Sequence, residues 1–473
     1  MRIKTVVTLG PASNSYQTMK ALAENGARIF RLNFSHSSAA DFVPVVKQIR
    51  QLEEELGFPL TVMGDLCGPK TRIGTIKKSP MQVGKGEYMY LGLPDMADKV
   101  APDRFIPLDF PQLLAGLERG MPVSLSDGML CFHVAEVLEK DRLFKLEAEN
   151  DNILTSNKGI AFPGKFHPIP ALTDKDRKDL REGIDIGLDA VALSFVQTKQ
   201  DITDIKEAIA AKGVWLPVIA KIERQTAVEQ IDSILELADG IMIARGDLGL
   251  ECPPAMLPII QKKILRACRH AQKPAIVATQ MLLSMVKNPV PTRAETTDVA
   301  NAILDGADCV MLSEETAIGA YPVEAVRLIQ DIAGHAEAYF LERTEGPYKP
   351  KKEKNPAKYM AYAACLIADN VDSEALVCHS TSGTTAKMLS SRRPAQPIYA
   401  LTPKGEVMCY LNFYWGVQPR LVDTAVRSHL IRVENFVQQN SCFSRGRNVV
   451  LTSGQPTPGQ ESTSTNEIKV YYK

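Results

Sequence analysis

The chain has no apolar run of transmembrane length, no C-x-x-C pair and no long basic run. Each absence removes a class of protein. Without about 20 consecutive apolar residues there is no spanning helix, so no membrane partner is expected. The nine cysteines form no disulfide or zinc framework. Most of them, Cys268 and Cys309 among them, sit in apolar patterns and read as reduced, buried thiols of a cytoplasmic protein. Fifty-five Lys and Arg balance fifty-five Asp and Glu, and a formal net charge of zero argues against a nucleic-acid partner. The N-terminal MRIKTVVTLG reads as a strand rather than a signal peptide. At 473 residues the chain exceeds one ordinary domain and can bury a sizeable core.

What is present is a series of short apolar runs that stop at charged residues. WLPVIAKIE (215–223) ends with Lys221 and Glu223. GIMIARGDLGLE (240–251) ends with Arg245, Gly246, Asp247, Gly249 and Glu251. Both runs are short and rich in β-branched residues, as buried strands are. Two carboxylates and a lysine at adjacent strand ends suit a divalent cation and a phosphorylated anion, the alternative being two unrelated solvated turns. TVVTL (5–9), RIFRLNF (28–34), TVMGDL (61–66), AVALSFV (190–196), PAIVATQM (274–281) and CVMLSEE (309–315) follow the same pattern. Helical periodicity separates most of them, as in 16–26 and 256–271. Eight strand–helix alternations predict an α/β fold with a closed (β/α)8 barrel, with a doubly wound sheet as the structural alternative. The strand ends would then gather Arg31, Asn33, Ser35, Asp65, Lys221, Glu223, Asp247, Thr279, Gln280, Ser313 and Glu315 on one face.

The alternation is interrupted after the third strand. Short alternating runs at 87–93, 121–127, 130–137 and 143–149 predict a small inserted β-barrel domain over the strand ends, acting as a lid or as a passive insertion. The expected division is a barrel over 1–69 and 166–344, a lid over 70–165 and a C-terminal α/β domain over 345–473. EGPYKPKKEKNPA (345–357) reads as the linker into that last domain, whose strands fall at 374–380, 397–402, 446–454 and 466–473. Its STSGTT loop (Ser380, Thr381, Ser382, Gly383, Thr384, Thr385) lies between a strand and a helix, with a loop and helix together expected over 381–392. Hydroxyls and free N–H groups there make either a phosphate nest or an ordinary capped turn, and Lys387 and Arg392 could add charge.

Over nearly its whole length the chain resembles pyruvate kinase. The resemblance is carried by TLGPAS (8–13), RLNFSH (31–36), GDLCGPKTR (64–72), KIERQTAV (221–228), ARGDLGLE (244–251), ATQML (278–282), PTRAETTDVANAILDGAD (291–308) and MLSEETAIGAYP (311–322). It implies a TIM barrel with an inserted lid, a C-terminal regulatory domain and a homotetramer. It also implies phosphoryl transfer from phosphoenolpyruvate to ADP, giving pyruvate and ATP. On the matching positions, Glu223 and Asp247 would hold Mg2+ or Mn2+, and Lys221 would face the transferring phosphoryl group and the developing enolate. Arg31 and Arg72 would contact phosphate. Ala244, Gly246, Asp247 and Thr279 would take the substrate carboxylate. Pro11, Asn33, Ser35, His36 and Lys158 match the nucleotide side, and Asp127 a lid aspartate. Thr279, Ser313 and Glu315 surround the place where enolpyruvate is protonated.

Two positions depart from the family pattern. Glu314 stands where a small residue is usual, so an inward-facing side chain would alter the proton relay. Lys70 stands where the K+-dependent branch of the family has Glu, while the matching K+-site positions Asn33, Ser35, Asp65 and the Leu66 carbonyl remain. A tethered ammonium in place of K+ implies that K+ is not required. The STSGTT loop matches the family's sugar-phosphate effector site. The loop 454–465 departs from the version that reads a bisphosphate, which points to a monophosphorylated sugar or a nucleotide monophosphate. A non-catalytic effector sensor and a metal-dependent pyruvate aldolase or lyase are the alternative readings.

Overall fold

The computed structural model describes residues 2–69, 71–126, 128–166, 169–350, 354–454 and 463–473. Lys70, Asp127 and most of the 454–465 loop lie outside them.

Eight strands, Lys4–Thr8, Ala27–Asn33, Thr61–Asp65, Ala190–Leu193, Val218–Ile222, Gly240–Ala244, Ala275–Ala278 and Cys309–Leu312, pair in parallel. The first bonds to both the second and the eighth, so the sheet closes into a barrel and the doubly wound alternative falls away. The near-continuous apolar runs have a direct cause: each strand is buried on both faces. Val6, Ile29, Met63, Ile219, Met242 and Met311 fill the interior. Their neighbours Val7, Phe30, Val62, Ala220 and Ile241 face the surrounding helices. Those helices begin on polar caps. Ser15 accepts from the Thr18 N–H ahead of Tyr16–Glu24, and Thr173, Thr198 and Thr292 form capping boxes ahead of Asp174–Ile186, Lys199–Ala210 and Arg293–Leu304. Gly10 joins the first strand end to the loop after the eighth, where a Cβ would lie 2.5 Å from the Ala317 carbonyl oxygen, so no larger residue fits.

The insert after the third strand has its own core, including Met89, Leu91, Phe132, Phe144 and Leu146. Its strands pair as a six-stranded sheet and a separate two-stranded sheet, rather than as the ring of a β-barrel. The sheet's two edges are Phe105–Pro107, which ends on a residue with no N–H, and the two-residue strand Ile160–Ala161. Neither offers a ladder long enough to close on the other. The chain enters and leaves the insert side by side, bridged at Arg72 and Gly159 and by the Ile73 N–H on the Lys158 carbonyl at 2.9 Å.

In the C-terminal domain a parallel sheet of Val417–Leu421, Ile398–Thr402, Leu376–His379 and Asn448–Ser453 is extended by the antiparallel strand Glu467–Tyr472. Within 381–392, where a loop and helix are expected, the loop runs to Gly383, which takes φ 79 as the cap, and the helix is Thr384–Ser390. The domain docks on the N-terminal end of the barrel. Thr61 Oγ1 donates to the Cys409 carbonyl at 2.7 Å, and the Tyr410 hydroxyl to the Asp239 carbonyl at 2.5 Å. The buried pair Arg393–Asp308 closes the contact at 2.8 Å. Among the described residues no helix is long and apolar enough to cross a membrane.

Candidate active site at the C-terminal strand ends

Parallel closure puts the C-terminal ends of all eight strands on one face, beyond the apolar layers, where polar side chains can emerge. Asp65 ends the third strand and is 1% exposed. Arg31, on the second strand, donates from Nε to its Oδ2 at 2.6 Å and from Nη1 to Thr8 Oγ1 at 2.9 Å. Lys221, on the fifth, places Nζ 3.2 Å from Asp65 Oδ1 and 3.0 Å from Glu223 Oε1, and donates to Ser194 Oγ at 2.7 Å. The other Glu223 oxygen accepts the Phe195 N–H at 2.6 Å. Phe195 holds φ 57, a conformation a bulky residue adopts only when its surroundings impose it.

Charge follows from these contacts. Burial alone would raise the Asp65 carboxyl, but Lys221 and Arg31 outweigh it and hold it below the usual range. Burial opposes the Lys221 ammonium, yet Asp65 and Glu223 keep it charged. Glu223 is pushed up by burial and by the Asp247 charge, against Lys221 and the Phe195 N–H.

Asp247 sits in the first turn of Arg245–Glu251, immediately after the sixth strand. It lines one cavity with Glu223, Glu251 and the insert residues Ser124 and Ile160, so the insert does overhang the strand ends. Among the described residues no group of three or more His, Cys, Asp or Glu is placed to hold a metal. Glu223 and Asp247, the two ligands expected from the sequence, line the same cavity. The set fits a hard divalent cation, since both donors are carboxylate oxygens whose mutual repulsion a cation would relieve.

The remaining strand-end residues divide. Thr279, at φ 69, donates to the Ala278 carbonyl at 2.6 Å and accepts the Gly246 N–H at 2.8 Å. Gly246 and Thr279 thus partner each other here instead of standing as two separate arms for a carboxylate, with Ala244 capping the helix between strand and turn. Glu315 is 1% exposed, and its oxygens accept the Leu282 N–H at 3.0 Å and the Ser313 N–H at 2.7 Å. It staples two loops together and is already saturated as a relay member. The Ser313 hydroxyl is buried without a partner among the described residues. Glu314 is exposed. Arg245 turns away from the site to Asp298 at 2.7 Å and the Thr279 carbonyl at 2.8 Å, bracing the strained turn.

Of the residues expected to face the nucleotide, Pro11, Ser35, His36, Arg72 and Lys158 are exposed, and Arg72 donates to the Asn157 carbonyl at 2.9 Å. Asn33 pairs in register with Asp65, and its side chain accepts the Ser35 N–H at 3.1 Å. The Leu66 carbonyl accepts the Ser194 hydroxyl at 2.7 Å. Sequence reasoning missed Ser194, which bridges Lys221 to this carbonyl. Its signal was its place at the end of AVALSFV, the position that carries polar residues on the other strands.

In the C-terminal loop Ser380 Oγ accepts the Thr385 N–H at 3.1 Å, the Ser382 and Thr384 hydroxyls lie 2.9 Å apart, and Thr385 meets Thr465 at 2.8 Å. Thr381 is half-buried. The two cations expected to help are directed elsewhere. Lys387 lies over the Tyr410 ring at 5.4 Å, because its helix turns that side toward the barrel. The buried Arg392 guanidinium binds Ser391 Oγ at 3.1 Å and the Tyr348 carbonyl at 3.2 Å.

Residues 1–326 match the family model described as pyruvate kinase, barrel domain, and residues 358–471 match pyruvate kinase, alpha/beta domain. The chain belongs to the pyruvate kinase family. It is 41% identical to a pyruvate kinase of Agrobacterium vitis, covering 99% of this chain and 96% of the relative. It is 40% identical to pyruvate kinase 2 of Synechocystis sp., over 99% of this chain and 79% of that one. A Mycobacterium intracellulare pyruvate kinase is 38% identical, over 99% and 98% of the two chains. Neither the lyase nor the non-catalytic alternative draws support from these matches.

Proposed function

We propose that the strand-end cluster transfers the phosphoryl group of phosphoenolpyruvate to ADP and then directs protonation of the enolpyruvate. The observation that carries this reading is the charge chain Arg31–Asp65–Lys221–Glu223, with Asp247 beside it under the insert. Arg31, oriented by Asp65, holds phosphate in a fixed fork. Lys221 keeps its charge in a buried site and stabilises the negative charge that develops on the transferring group and the enolate. Divalent-cation dependence comes with the family; in this chain Glu223 and Asp247 would hold Mg2+, which neutralises phosphate and enolate charge when bound. Arg72 and Lys158, on the paired strands of the hinge, approach the nucleotide phosphates as the insert closes, and Pro11, Asn33 and His36 flank the nucleotide. On substrate binding Thr279 and the Gly246 N–H exchange their mutual contact for the substrate carboxylate, and the Ser313 hydroxyl, without a partner among the described residues, supports the proton path. Ser380–Thr385 bind a monophosphorylated effector. The same reading gives a cytoplasmic homotetramer, which sedimentation velocity would report as four chain masses.

Lys70, supplying the charge that K+ supplies elsewhere, makes turnover independent of K+. One experiment tests the core of this reading. Pyruvate formation from phosphoenolpyruvate and ADP is followed in a coupled assay, with divalent metal omitted in one arm and K+ replaced by tetramethylammonium in another. Activity is expected to vanish in the first arm and persist in the second. Glu223→Ala and Asp247→Ala should nearly abolish turnover, and near-normal pyruvate formation in either would overturn the assignment. A large loss without K+ would refute only the Lys70 reading.

A further inference from the structure

One buried cation of the KIERQTAV segment (221–228) has no part in the phosphoryl-transfer reading. Arg224 is 5% exposed and lines the cavity under the insert with Glu223, Asp247, Glu251 and Phe195. Among the described residues its guanidinium forms no ion pair and no hydrogen bond, and Nη1 is buried without a partner.

Local structure does not call for an arginine there. Arg224 is the N-cap of the short helix Gln225–Glu229 and makes no capping bond. Ser, Thr, Asp or Asn would satisfy that helix start, and its positive end opposes a cation. The acids that face Arg224 are Glu251, Glu223, Asp201 and Asp247, and none comes within ion-pair distance of it among the described residues. Asp201 accepts the Gln197 and Thr198 N–H groups at 2.9 Å, and Glu223 is engaged by Lys221 and the Phe195 N–H. A guanidinium taken out of water without a partner is costly, so a different contact must hold it.

That contact is the Phe195 ring, whose centroid lies 5.2 Å from Arg224 Cζ, as in a cation–π pair. Phe195 follows Ser194 just beyond the fourth strand, in the left-handed region at φ 57, and donates its N–H to Glu223 Oε2 at 2.6 Å. The ring also packs on the bare backbone of Gly68, where a Cβ would lie 2.8 Å from Phe195 Cδ2. Ring placement therefore sets where the N–H points, and the N–H sets the Glu223 carboxylate.

We propose that Arg224 is a positioning residue: its guanidinium holds the Phe195 ring, which keeps the Phe195 N–H on Glu223 and so fixes that carboxylate for a divalent cation. The proposal rests on the reading of Glu223 as a cation ligand. A nearby guanidinium repels a divalent cation, so an Arg224 that acted by charge alone would weaken metal binding. An Arg224 that orients the ligand strengthens it. Removing the charge therefore changes the affinity in opposite directions for the two roles.

Mn2+ binding to the full-length protein, read by electron paramagnetic resonance of the free ion, tests this without substrate or turnover. Arg224→Gln should weaken Mn2+ binding about fivefold, the size of one desolvated cation–π contact, and Arg224→Lys, which keeps a cation over the ring, should retain most of the affinity. Phe195→Leu should weaken binding by a similar factor. The double variant should lose no more than the weaker single variant, because both act through one contact. If Arg224→Gln fails to fold, Phe195→Leu decides the matter. Unchanged or tighter Mn2+ binding in Arg224→Gln, additive losses in the double variant, or unchanged binding in a folded Phe195→Leu protein would overturn the proposal. Glu223→Ala, expected to abolish binding, keeps the cation reading separate: Mn2+ binding that survives it would overturn that reading and the role of Arg224 together.

Discussion

Lys221 and His379 show how neighbouring charges decide the outcome when burial opposes both cations. Burial opposes the Lys221 ammonium, but Asp65 and Glu223 beside it keep it charged. Lys221→Met should lower turnover by about 100–1,000-fold, the size of loss seen when one strong electrostatic donor is removed. Circular dichroism should show an intact fold, and a loss below tenfold would make Lys221 peripheral. His379 stacks on His429 at 4.0 Å, and Arg432 donates to its Nε2 at 3.0 Å, so the neutral ring carries its proton on Nδ1. Burial, then His429 and Arg432, pushes it down to about 3. The unfolded chain takes up a proton near pH 6.5 and the folded chain does not, so its contribution to stability is complete above about pH 6.5 and is lost as pH falls toward 3. His379→Gln should flatten the acid limb of the urea midpoint against pH in that window. An unchanged acid limb would show that His379 titrates freely.

At the scale of elements, the site consists of short turns held in unusual conformations by strands that cannot move. Thr279 and Gln280 take φ 69 and 55 in succession, which costs on the order of 1–3 kcal/mol at each residue, and Arg245 holds the Thr279 carbonyl in place. The STSGTT loop is a similar strand-to-helix turn, with Gly383 supplying the left-handed residue. Its outward hydroxyls, Ser382 and Thr384, are free of the backbone staple that Ser380 and Thr385 make. If a phosphate ester binds there, Thr384→Glu should erase its effect on half-saturation by phosphoenolpyruvate, because a carboxylate would oppose the phosphate. Titrating sugar phosphates and nucleotide monophosphates against that parameter checks it, and a surviving shift in the variant would move the effector site elsewhere.

Across the whole molecule, the C-terminal domain closes the barrel's far end, and the barrel interior and the domain share one apolar core. Asp308 is central to the seam. One oxygen accepts Arg393 Nη1 at 2.8 Å and the Trp415 N–H at 3.1 Å, and the other accepts the Ala275 N–H at 3.0 Å. Asp308→Ala would leave Arg393 buried and unpaired, a change of about 3–5 kcal/mol. Urea unfolding followed by circular dichroism should show a lower midpoint and a separate, earlier transition of the C-terminal domain. A single transition at the wild-type midpoint would show that apolar packing alone holds the seam.

How much of this was legible in the residues depends on range. The eight strands and their charged ends were readable, because strand burial writes itself as local apolar runs and Lys221, Glu223 and Asp247 fall where those runs stop. Closure of the barrel was not readable, since pairing of the first strand with the eighth joins residues some 300 positions apart, as in Lys4 with Cys309. Side-chain direction was equally out of reach. Arg245 and Glu315 lie in the same motifs as the site residues, yet one braces a turn and the other saturates two backbone N–H groups. Lys387 and Arg392, close to the STSGTT loop in sequence, face the barrel and Tyr348. Local chemistry determined the strands, the caps and the charged residue types at the strand ends. The tertiary structure decided which of those residues meet, since hydrogen bonds and ion pairs act over a few ångströms while the chain that carries them spans hundreds of residues.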